Sequence, residues 1–234
     1  DRLFAIEPLG ARHRHQIPPW IVNALADPTL ELHDGSGALI TSNDNWKDTQ
    51  QAAISATGKA PPDDLESAIL HTFAPGKYTA IVRGKNSAIG VGLVEAYDLD
   101  RTVNSKLANI STRGFVETGD NVMIGGFIIT GTQPKRVIIR AIGPSLSSFF
   151  PGALADPTLE LRNSAGGLIA SNDNWRSDQE AEIIATGIPP SNEATCPPIG
   201  LLVVDRDARV RDLDGVAAVI RKISLKTAQL LRVE

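Results

Sequence analysis

Cysteine is almost absent: Cys196 is the only one in 234 residues, beside a single methionine. A lone cysteine closes no intrachain disulfide, so packing alone must hold the fold, and cysteine usage says nothing about compartment. Aromatic residues make up 5%, which leaves the core to Val, Ile, Leu and Ala. No apolar run is long enough for a bilayer-spanning helix, and the first residues show no charged n-region followed by an apolar h-region. Positive charge is not in excess, with 23 Lys and Arg against 27 Asp and Glu and a net charge of −4. The two signs are mixed along the chain, without the basic stripe of a nucleic-acid footprint. Nucleotide and catalytic signatures are missing as well. There is no P-loop and no G-x-G-x-x-G opening a helix, and Ser145 in "GPSLS" is not a nucleophile elbow.

What the chain does have is a duplication. "ALADPTLEL" stands at 24–32 and again at 153–161. Residues 24–58 align with 153–187 without a gap, and 23 of the 35 positions are identical. The identities include "SNDNW" (42–46 and 171–175), Gln50 with Gln179, and "ATG" (56–58 and 185–187). A repeat with a 129-residue offset is too long for a solenoid unit and suits a domain. "RLFAIEPLG" (2–10) before the first copy is the counterpart of "RVIIRAIGPSL" (136–146) before the second. After the copies only scraps match, such as "VRGKNS" (82–87) with "VRDLDG" (210–215).

Strand patterns dominate. In "TLELH" (29–33) alternation puts Leu30 and Leu32 on one face and Thr29 and Glu31 on the other. "DGSG" (34–37) is turn chemistry, and "ALITS" resumes a strand, which makes a hairpin. Two further hairpins are expected: "YTAIVRG" (78–84) with "VGLVEAYDL" (91–99), and "VMIGGFIIT" (122–130) with "RVIIRAI" (136–142). Short helices are expected over 48–57 and in the tail from Gly215 onward. Many short strands with frequent turns predict an all-β chain of two tandem, pseudo-repeated, jelly-roll-like β-sandwich units, at 1–103 and 104–234.

Clustered side-chain oxygens give the candidate site. Asn43, Asp44 and Asn45 in the first copy, and Asn172, Asp173 and Asn174 in the second, are hard ligands on a loop and make calcium the candidate ion. The same residues also build an Asx turn with Trp46 or Trp175 folded back as a lid, and need no ion to do so. The spacing is not that of an EF-hand. Asp205, Asp207, Asp212 and Asp214 form a second acidic group that reads as a solvated hairpin. "HRH" (13–15) has metal-hydrolase spacing, but no further ligand motif completes it. Cys196 has no histidine near it in sequence.

The text "FAPGKYTAIVRG" (73–84) resembles the bacterial pre-peptidase C-terminal domain, a small β-sandwich appended to secreted enzymes. The text "SKLANISTRGFVETGDNVMIGGFIITGTQPKRVIIRAIGPSL…ADPTLEL" (105–161) looks still more like the repeats of large exported proteins of environmental bacteria. The resemblance covers roughly residues 24–187. It implies an extracellular or cell-surface location, β-sandwich modules, and structural, adhesive or targeting work. It implies no catalytic residues.

Two functions therefore compete. One is a non-catalytic repeat module that binds a carbohydrate or protein, or associates with itself; tandem copies add avidity. The other is a secreted, metal-assisted hydrolase of an ester or lactone, resting on the Asn/Asp loops and on "HRH". The second unit also has a leading segment (106–131) that the first lacks. A strand missing from a sheet exposes unpaired backbone groups. That edge is expected to be filled from within the chain or by a second copy, as in a homodimer.

Overall fold

The computed structural model describes residues 2–8, 24–99, 107–118, 122–129, 136–163, 165–190, 201–204, 216–222 and 228–229, with backbone alone in 2–8 and beyond residue 200. In chain order the elements are β1 (Arg2–Pro8), β2 (Pro28–Asp34), β3 (Leu39–Asn43), α1 (Gln51–Ala56), β4 (Ser67–His71), β5 (Tyr78–Gly84), β6 (Gly92–Asp98) and β7 (Arg113–Gly114). Then follow β8 (Met123–Phe127), β9 (Val137–Arg140), β10 (Pro157–Asn163), β11 (Leu168–Asn172), α2 (Glu180–Ala185), β12 (Leu201–Val204), β13 (Val216–Lys222) and β14 (Ala228–Gln229). The protein is all-β, with two six-residue helices among the described residues. The chain divides into two compact units between Ile110 and Ser111.

The first unit holds two three-stranded sheets, ordered β3-β2-β5 and β4-β1-β6. Alternation on β2 behaves as the sequence requires: Leu30 and Leu32 are buried, while Thr29 and Glu31 are not. The two leucines pack against Ile69 of β4, with Phe73, Tyr78, Ala80 and Val82 around them. A second cluster joins Trp46, Ile54 of α1 and Ala68 of β4.

In the second unit the sheets are β11-β10-β13-β8, β12-β9 and β14-β7. Leu159 and Leu161 repeat the roles of Leu30 and Leu32, each 1% exposed. Here Met123 and Phe127 of β8 pack against them. Strand pairing settles the equivalences. β1 pairs with β4 as β9 pairs with β12, so residues 3–6 correspond to 137–140 in the backbone. β5 runs beside β2 with Arg83 opposite Thr29, and β13 runs beside β10 with Arg221 opposite Thr158. Residues 82–84 therefore correspond to 220–222, which corrects the sequence match with 210–215.

Three further expectations are corrected. The strands at 78–84 and 92–98 form no hairpin: β5 pairs with β2, and β6 with β1 in the other sheet. The turn between them redirects the chain. Asn86 and Ser87 are left-handed, at φ 54 and 61, and the Lys85 N–H donates to the Asp27 carbonyl. β8 and β9 likewise go to different sheets, with β13 and β12. The expected helix after Gly215 is strand β13. Its Val216, Val219 and Ile220 suit a pleated surface, and the ladders with β10 and β8 override weak helical propensity. The expected helix at 48–57 is present as α1.

The repeated wording is largely structural. "ATG" closes each helix: Thr57 and Thr186 hydroxyls donate back to the Ile54 and Ile183 carbonyls at 2.6 Å. Gly58 and Gly187 then take φ of +69 and +74, a left-handed cap that favours glycine. Gln50 acts as a surrogate strand, its Nε2 donating to the Leu70 carbonyl and its Oε1 accepting the Leu70 N–H. A β-bulge interrupts each first hairpin, between Leu32 and His33 and between Leu161 and Arg162. The extra residue, Ile40 or Ile169, shifts the strand and leaves Leu39 57% and Leu168 56% exposed.

The register predicts a contrast between two leucines of one hairpin. Leu161→Ala should cost about 2–5 kcal/mol, as large-to-small core changes do. Leu168→Ala should stay within about 0.5 kcal/mol. Urea unfolding of both variants checks this, and equal losses would show that the bulge is misplaced.

Candidate functional site

The six predicted ligands lie on two equivalent loops, one after β3 and one after β11, but they do not all face an ion. Asn43 is buried. Its Oδ1 accepts the Ala68 N–H at 2.9 Å, and its Nδ2 donates to the Asn45 carbonyl at 2.9 Å and to Thr49 Oγ1 at 3.4 Å. Asn172 is buried too, and its Nδ2 donates to the Asn174 carbonyl at 3.1 Å. These carboxamides tie the loop, as an Asx turn does. Asn45 Nδ2 donates to Asp48 Oδ2, and Asn174 Nδ2 to Asp173 Oδ2.

Asp44 has a partner that the sequence did not reveal. Its Oδ2 is 2.7 Å from Lys85 Nζ, which is also 3.5 Å from Asp27 Oδ2. The ammonium stands between two carboxylates, where a cation would stand. Its hydrogen bond to Asp44 raises the Lys85 pKa, with the charge of Asp27 adding to the effect. Asp27 Oδ1, Asp44 Oδ1 and Asn45 Oδ1 are buried without a hydrogen-bond partner among the described residues. In the second copy Asp156 and Asp173 take the places of Asp27 and Asp44. Desolvation raises the Asp156 pKa, and the negative charge of Asp173 raises it further. The residue after the strand equivalent to β5 is Ile223 rather than lysine. Among the described residues no lysine stands between Asp156 and Asp173, so these two carboxylates could hold a cation. Among the described residues no three His, Cys, Asp or Glu side chains converge as a metal cage. His13, His15, Cys196 and the acidic residues Asp205, Asp207, Asp212 and Asp214 lie outside the described residues.

A second polar cluster sits on the outer face of β2. His33 Nε2 lies 3.0 Å from Glu31 Oε2, and His33 Nδ1 lies 3.0 Å from the Gly37 carbonyl. Arg83 of β5 reaches the same Glu31 oxygen at 2.7 Å. Both partners of His33 are acceptors, so both bonds form together only when both ring nitrogens carry protons. The second copy makes the same two contacts with a fixed charge. Arg162 Nε and Nη2 bond Glu160 Oε2 at 2.9 and 2.8 Å, and Nη1 donates to the Gly166 carbonyl at 2.8 Å. The Glu31 hydrogen bond, then the Gly37 carbonyl, raise the His33 pKa. Arg83 first, then His33, hold the Glu31 carboxyl below its ordinary value. The i, i+2 spacing of Glu31 and His33 on a strand could have shown this pair in the sequence. Arg83 and Lys85 could not have been found that way, because strand pairing and the turn after β5 bring them in.

No protein-family model matches the chain, and no curated protein or solved structure matches it either. Among the described residues no helix is long and apolar enough to cross a membrane.

The His33 cluster predicts a pH effect with a definite sign. Its folded-state pKa is raised, so its contribution is complete below the ordinary imidazole value of about 6.5 and is lost as pH rises through the folded value. Melting temperature should therefore fall as pH climbs above neutrality. His33→Arg, which copies Arg162, should flatten that part of the profile. An unchanged profile in His33→Arg would assign the pH dependence elsewhere.

Proposed function

We propose that this chain is a non-catalytic module of a secreted or cell-surface bacterial protein, built as two tandem β-sandwich units and working by binding a partner protein. One observation carries the reading: the side chains identical in the two copies serve the scaffold. Leu30 and Leu159, Trp46 and Trp175, and Ile54 and Ile183 have matching burial. Asn43 and Asn172 close the same turn, and Thr57 and Thr186 cap the same helix. Among the shared side chains left at the surface are the large apolar Leu39 and Leu168, as suits a contact surface. The exported location rests on the resemblance of 105–161 to exported repeats and of 73–84 to a domain of secreted enzymes.

Calcium belongs to this proposal at the second copy, through Asp156, Asp173 and Asn174. Added calcium should raise the melting temperature by mass action. Asp173→Asn should abolish the rise, and Asp44→Asn, beside Lys85, should not. A melting temperature indifferent to both calcium and chelator would remove the ion and leave only the turns.

The protein should show no esterase or lactonase turnover with or without chelator. Hydrolysis of such substrates that disappears on chelation would overturn the module reading in favour of a metal-dependent hydrolase.

A further inference from the structure

The two units differ at one sheet edge. In the second unit β13 is paired on both sides, by β10 and by β8. In the first unit β5, its equivalent, is paired among the described residues only by β2. The covering strand also plugs the core. Met123 packs against Leu154 and Val116, and with Phe127 against Leu159 and Leu161. Leu25 is the repeat counterpart of Leu154. Leu25 lines a groove of about 320 Å³ with Val82 and Gly84 of β5, Gly92 and Val94 of β6, and Ile89 of the turn, with no such plug among the described residues. Ile89 is 95% exposed and Val94 49%, so these apolar groups face solvent beside a backbone edge that is open among the described residues.

We infer that the β5 edge and the Leu25–Val94 groove form a strand-acceptor site for an extended apolar segment of another polypeptide, with the pattern of Met123–Phe127. This rests on the binding-module reading and names the chemistry of the partner. The register follows from the second unit. Met123 stands opposite Ile220 and Phe127 opposite Val216, and these two positions correspond to Val82 and Tyr78. The residue at the Met123 position of the incoming strand therefore sits opposite Val82, beside Leu25, where the groove lies. Glycines at the Gly125 and Gly126 positions keep the middle of that strand slim. Backbone hydrogen bonds supply the affinity, and the apolar side chain in the groove supplies the selectivity, as in other strand additions. Among the described residues the segment that would fit is already paired to β13, and the donor in this inference is a separate strand-bearing partner.

The test uses the whole protein and a fluorescent peptide of residues 114–129. The peptide should bind, and hydrogen exchange should slow in Tyr78–Gly84 while Val216–Lys222 is unchanged. A peptide carrying Asp at the positions of Met123 and Phe127 should not bind. Val94→Arg, at a half-exposed position, should keep the wild-type melting temperature yet weaken binding by about tenfold or more, since a charge enters an apolar slot. Should Val94→Arg unfold, Ile89→Asp tests the same groove from an exposed turn. Absence of binding, or protection that appears at Val216–Lys222 through exchange with β8, overturns the inference. Chelator-sensitive hydrolysis would sink the module reading without touching this result, and lack of peptide binding would sink this site without creating a hydrolase.

Discussion

The first unit depends on the carboxamide of Asn43. It sits at the end of β3, accepts an N–H from β4 in the other sheet, and donates into its own loop. Both sheets are thereby fixed to one side chain. The rest of the loop has its own bonds to the segment around β4, beginning with the Trp46 N–H to the Glu66 carbonyl at 2.7 Å. Trp46 folds over Ile54 and Ala68, its indole N–H reaching the Asp63 carbonyl at 2.9 Å, and Gln50 meets the Leu70 backbone. A buried amide of this kind is worth little when satisfied, but loss of it strands a buried backbone N–H. That asymmetry accounts for Asn43 without any ligand.

The same reasoning separates what is scaffold from what is variable. At positions 33 and 162 the two copies make one set of contacts with different side chains, an imidazole and a guanidinium. The acidic loop at Asp44 meets Lys85, whereas among the described residues no lysine meets the same loop at Asp173. The fold tolerates these exchanges because they lie on outer faces and turns, where water screens the charges.

Local order was legible in the sequence wherever its cause was local. Leu30 and Leu32 alternate as a half-buried strand, the Asp34 turn is written in its residues, and α1 lies inside the expected span. The Asn-Asp-Asn loops were legible as turns and as a candidate site alike. What failed was pairing between distant segments. Neighbouring strands such as β5 and β6 look like a hairpin until Asn86 and Ser87 are seen to turn the chain into the other sheet. The tail strand β13 draws its stability from β10 and β8 on either side, which no window of its own residues contains. Lys85 meets Asp27 and Asp44 for the same reason.

A chain that spells one strand twice also has two correct-looking ways to fold it. β2 and β10 share the sequence Pro-Thr-Leu-Glu-Leu, and each carries its bulge at the same step. During folding, the β3 hairpin arm can meet β10 as readily as β2 if the native partner arrives late. Such crossed pairings bury the right leucines in the wrong unit, so they are compact and slow to undo. The brief "DGSG" and "NSAG" connections oppose this by holding each arm next to its own mate, because a short loop closes before a distant one. Turn chemistry thus sorts the two halves of the molecule kinetically, before any core exists to tell them apart.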